Sequence, residues 1–104
     1  MYKYLILLLI IGCSVTTQPN FIEILSPDNY AEFAFNEEIV VNFAGNNIDE
    51  WEVESSSPPT YYDVLGNHSF AISFTNMRSV EITIHVTYKD NTSEDASLIV
   101  WLHP

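Results

Sequence analysis

From Asn20 onward the chain alternates apolar and polar residues with a period of two, and no stretch shows a convincing helical repeat. The clearest run is Val80 to Tyr88, apolar at every even position and polar at every odd one, so it predicts a strand with one buried and one wet face. Ala96, Leu98, Val100 and Leu102 repeat the pattern after a turn at Asp90–Ser93, where Asn91 tolerates a left-handed backbone. Phe70, Ile72 and Phe74 form a third inward set, with Ser69, Ala71 and Ser73 outward. Ile39, Val41 and Phe43 form a fourth, Trp51 and Val53 a fifth between Glu50, Glu52 and Glu54, and Ile22 and Ile24 a sixth. Ser26-Pro27-Asp28-Asn29 turns the chain after the first of these, and Tyr61–Val64 reads as a weaker edge strand. About seven short strands broken by Ser, Pro, Asn, Asp and Gly clusters predict an all-β antiparallel sandwich over residues 20–104. A domain of this size is stable on burial alone, so the single cysteine is no obstacle to it.

The segment before Asn20 follows a different rule. Lys3 precedes seven unbroken aliphatics, Leu5 to Ile11, then Gly12 and Cys13. That run is far short of the roughly 18 residues that span a bilayer and sits at the short end of a secretory signal. Ile10-Ile11-Gly12-Cys13 resembles a bacterial lipobox. The resemblance implies cleavage after Gly12, lipid on the Cys13 sulfur and acylation of the new amino terminus. Residues 1–12 are then a signal peptide, and residues 13–19 are the lipidated cysteine with a short tether of about 25 Å at most. Ser14 stands where some lipoproteins carry an inner-membrane retention aspartate, which favours the outer membrane of a cell envelope.

Within the domain, Ile24-Leu25-Ser26-Pro27-Asp28-Asn29-Tyr30, then Phe33 and Glu37 to Phe43, resemble the opening of bacterial Ig-like and PKD-like domains. Trp51 falls where that family places a core tryptophan on its third strand, and Leu65-Gly66, Ser69-Phe70 and Ser79–Tyr88 run parallel to its later strands. The resemblance implies an Ig-like sandwich. The chain departs from the pattern at Arg78, Tyr88, Asn91 and Ser55–Pro59, which removes support for a ligand role borrowed from the family's acidic turns.

Charge narrows the partners. There are 14 Asp and Glu against 3 Lys and Arg, a formal net charge of -11, on a chain that is 47% hydrophobic and so no disordered acidic tail. Such a surface repels nucleic acid and anionic lipid, so membrane attachment has to come from acyl chains on Cys13, at about 0.8 kcal/mol per buried CH₂.

No motif points to catalysis: His68, His85 and His103 lack a nucleophile elbow or comparable context. His85 and His103 read as exposed residues on the wet face of the last two strands, not as metal ligands. Asp28, Asp90, Glu94 and Asp95 are hard oxygen donors in turns, which leaves calcium chemically open without any EF-hand spacing. Asn67-His68-Ser69 and Asn91-Thr92-Ser93 fit the glycosylation pattern, read as chance in a lipobox protein.

The informative departure is on the last strand, whose outward positions include Ile99 and Trp101 where polar residues are expected. With a pairing that sets His85 opposite Ile99 or Trp101, these three residues form a candidate binding patch for a protein or glycan, within an acidic rim. The expected function is a non-catalytic Ig-like binding or adhesion module on an envelope lipoprotein. An envelope inhibitor or prophage-type exclusion lipoprotein, and a structural subunit of an envelope assembly, are the alternatives.

Overall fold

The computed structural model describes residues 19–104. The signal peptide, the cleavage site at Gly12, Cys13 and all but the last residue of the tether lie outside the described residues. Eight strands follow: β1 (Phe21–Ser26), β2 (Ala31–Ala34), β3 (Ile39–Asn46), β4 (Ile48–Ser55), β5 (Tyr61–Gly66), β6 (Ser69–Ser73), β7 (Ser79–Tyr88) and β8 (Ser93–His103). They form two four-stranded sheets, ordered β1-β3-β6-β5 and β2-β8-β7-β4. With β2 set aside, four strands face three in the order of an immunoglobulin-type sandwich. The fold is the all-β sandwich that the alternation predicts.

Every inward position read from the alternation is buried or half-buried. Ile39, Val41, Phe43, Phe70 and Ile72 from the first sheet, with Phe74 just after β6, meet Val80, Ile82, Ile84, Val86, Tyr88, Leu98, Val100 and Leu102 from the second. A side chain of this kind stabilises the fold by about 1.5–3 kcal/mol when fully removed from water. Trp51 packs edge-on against Phe43, with centroids 5.0 Å apart, so an aromatic pair joins the two sheets across the core.

Asparagine carries most of the tight turns. Asn36, Asn47, Asn76 and Asn91 all have positive φ, a conformation that asparagine's short polar side chain tolerates. Tyr30 also has a positive φ, 68°, without that excuse. The β7–β8 turn is closed by Asp90, which accepts hydrogen bonds from both the amide and the hydroxyl of Thr92. Those bonds, with one from Asn20, hold the Asp90 carboxyl below its usual range.

Three findings differ from the expectation. β2 is an eighth strand and pairs parallel to β8, Ala31 to Val100 through Ala34 to His103, so the second sheet is mixed and β8 is not an edge. Four residues carry too little alternation to register as a strand. Ala71 and Ser73, expected outward and wet, are buried at 0% and 5% exposure. They are small side chains in a strand flanked on both sides, Ala71 between Val40 and Asp63, Ser73 beside Tyr61. The third is the β7–β8 register. The closed turn at Asp90–Thr92 sets His85 opposite Asp95, rather than Ile99 or Trp101.

Candidate functional site

The outward face of the second sheet carries the chemistry. Strand alternation puts Glu32 of β2, Asp95, Ser97, Ile99, Trp101 and His103 of β8, Ser79, Glu81, Thr83, His85 and Thr87 of β7, and Glu50, Glu52 and Glu54 of β4 on it. Six of these are acids, and none is Lys or Arg. Arg78 and Lys89, the cations among the described residues, sit just before β7 begins and just after it ends.

The register divides the face into two ends. At one, Trp101 lies between Glu32 on β2 and Ser79 on β7, and Ile99 lies opposite Glu81. The Trp101 side chain is 46% exposed, and Tyr30, 54% exposed, places its ring 6.2 Å away at a 35° tilt. Tyr30 is held there by its own backbone. Its amide donates to the Ile99 carbonyl at 2.6 Å, and the Ile99 amide donates to the Asn29 side chain at 2.7 Å. Tyr30 therefore adopts its left-handed conformation as part of the connection that leads into β2 and bonds to β8 at Ile99.

At the other end, His85 Nε2 meets Glu54 at 2.7 Å and His85 Nδ1 meets Asp95 at 2.6 Å. One imidazole thus ties both neighbouring strands to β7. The hydrogen bonds that the imidazole donates to Glu54 and then to Asp95 pull the His85 pKa above its ordinary value, against a smaller opposing effect of burial. An open concavity of about 720 Å³ runs beside this clasp, lined in part by Glu50, Glu52 and Thr87. Between the two ends the hydroxyls of Thr83 and Ser97 pair at 2.9 Å.

The sequence-derived patch is therefore only partly assembled. Trp101 and Ile99 share one end as expected, but His85 lies six positions along β7 from Ser79, the partner of Trp101, about 20 Å away. His85 belongs to a separate carboxylate clasp, because the tight Asp90 turn shortens the hairpin. Three of the four acidic turn residues have other partners: Asp90 closes the turn, Glu94 accepts from the Tyr88 hydroxyl at 2.6 Å, and Asp95 meets His85. Among the described residues, no group of three or more His, Cys, Asp or Glu is arranged to hold a metal ion. No helix among them is long and apolar enough to cross a membrane.

Tyr30 and Glu32 escape a sequence reading because the parallel pairing of β2 brings them to Trp101 from about 70 residues away. The faint signal was the aromatic after the Ser26–Asn29 turn. Glu54 was legible as an outward residue, but its meeting with His85 depends on a register that alternation does not fix.

No protein-family model matches the chain, and no curated protein matches its sequence.

Proposed function

We propose that this chain is a non-catalytic binding module of a bacterial cell envelope, anchored by lipid on Cys13 and docking its partner through the outward face of the second sheet. The observation that carries the docking face is the half-exposed Trp101 with Tyr30 beside it, in a face otherwise given to acids and hydroxyls. Large aromatics that stay accessible beside a polar rim are the anchors of protein interfaces. The anchor rests on Ile10-Ile11-Gly12-Cys13 and on the net charge of -11, which leaves acyl chains as the means of holding the protein to an anionic membrane. Catalysis finds little support, since both ring nitrogens of His85 are occupied by carboxylates rather than by a nucleophile.

Two measurements on cells test this. Cys13→Ala is expected to move the protein from the membrane fraction to the soluble one and to leave the leader attached by mass. A processed, membrane-bound Cys13→Ala protein removes the anchor. Separately, a photo-crosslinking residue at Ser79, beside Trp101, is expected to give a discrete adduct that Trp101→Ala abolishes. An adduct indifferent to Trp101, or one formed only from a crosslinker on the first sheet, removes the docking face.

A further inference from the structure

Resting on that docking face, we infer that the group bound at Trp101 is a cationic side chain, an arginine or lysine presented by a basic segment of a partner protein. The face supplies both parts of such a site. The Trp101 indole is half exposed, and indole is the strongest of the aromatic faces for holding a cation. Glu32 stands directly beside it on β2. Glu81 stands on the diagonal from β7, at roughly 7–8 Å. A guanidinium stacked on the indole thus has a carboxylate on each side, and Tyr30 closes the aromatic surface at 6.2 Å.

Charge complementarity selects the partner. The whole outward face carries six acids and no Lys or Arg, and the chain as a whole is at -11. A nucleic acid or an anionic lipid headgroup is repelled at every approach, whereas a basic protein is steered toward this face. A neutral sugar would stack on the indole equally well but gains nothing from the two flanking carboxylates. Tyr30 adds a second mark: a bulky residue is kept at φ 68° by its amide bond to the Ile99 carbonyl, and this places an aromatic ring beside Trp101.

The test uses the full chain in neutral detergent, with fluorescence anisotropy of labelled peptides at about 0.15 M salt. The probes are a glycine–arginine repeat, a glycine–glutamate repeat of equal length and a neutral N-acetylglucosamine oligomer. The arginine peptide is expected to bind and the other two are not. Trp101→Ala is expected to weaken binding by about tenfold or more, with Trp101→Phe recovering part of it. Glu32→Gln and Glu81→Gln are expected to weaken it several-fold, more than Glu50→Gln with Glu52→Gln at the far end. Thermal melts of each variant separate lost folding from lost binding. Equal losses from the near and far acids with none at Trp101 overturn the inference, since attraction is then diffuse. Trp101-dependent binding of the sugar oligomer and not of the arginine peptide leaves the docking face standing and overturns the cationic partner. If no probe shows any dependence on Trp101, both fall.

Discussion

The Trp51 indole N–H donates to the Asn67 carbonyl across 2.8 Å, joining the outer strand of the second sheet to the β5–β6 turn of the first. The same ring packs against Phe43 at 5.0 Å and Phe70 at 5.9 Å. It therefore contributes through packing and through one hydrogen bond between sheets. Trp51→Phe is expected to keep most of the packing and lose the bond, costing about 1 kcal/mol. Trp51→Ala should cost about 3–5 kcal/mol. Urea melts of the two variants check the ratio. Equal losses would mean that the hydrogen bond, not the ring, holds the sheets together.

How much of this was legible in the sequence depends on the range of the interaction. Inward residues such as Val80 to Tyr88 announce themselves, because a strand half in water must alternate. The pairing of Glu32 with Trp101 is invisible to any local pattern, since a parallel partner arrives from anywhere in the chain. The distance from His85 to Trp101 turned on two hydrogen bonds in the Asp90–Thr92 turn, and a shift of a few residues there relocates a whole face. Burial of Ala71 likewise follows from its flanking strands, not from its own position in the alternation.

His85 predicts a pH dependence of stability. Its pKa is raised in the folded state by Glu54 and Asp95, so the folded protein holds the proton more tightly than the unfolded chain. That contribution is complete below the ordinary histidine value of about 6.5 and is lost as pH rises through the higher folded value. Glu50, Glu52 and Glu81 share the face with the clasp, and the His85→Gln comparison isolates the imidazole from them. The melting temperature of wild type relative to His85→Gln is expected to be highest near pH 5.5 and to decline toward pH 8.5. A constant difference would show that the clasp is not an ion pair.

Tyr88 gives a spectroscopic prediction. Burial, with the Glu94 carboxylate beside its hydroxyl, pushes its pKa up to about 12. In an alkaline titration followed at the phenolate band, Tyr88 is expected to ionise well above the ordinary value of about 10. Because its neutral form is favoured in the fold, stability is retained below pH 10 and lost as pH climbs toward the folded value. Tyr88→Phe should remove the late component; if that component persists, it belongs to another tyrosine.

Two glycines are expected to differ in their response to alanine. A Cβ at Gly45 would stand 2.6 Å from the Phe21 carbonyl oxygen and press on the Ile48 side chain, so the β1–β3 pairing must shift. Gly45→Ala should cost about 1–3 kcal/mol. At Gly66 nothing lies within 4 Å of the added carbon, and Gly66→Ala should change stability by about 0.5 kcal/mol or less. Denaturant midpoints of the pair decide it, and comparable losses would place an unrecognised neighbour at Gly66.

Trp101 and Phe70 separate a docking residue from a core residue. Phe70 has no exposed surface and sits among Trp51, Tyr62 and the strands of the first sheet, so Phe70→Ala opens a cavity worth about 3–5 kcal/mol. In a domain this small that lowers the melting temperature by well over 10 °C. Trp101 is 46% exposed, and its ring contact is with Tyr30, itself on the surface. Trp101→Ala is therefore expected to move the melting temperature by about 5 °C or less, with partner capture lost. The two readouts must part company: a Trp101→Ala protein that unfolds like Phe70→Ala makes the indole a structural part of the β2–β8 seam, and its exposure then has no bearing on binding.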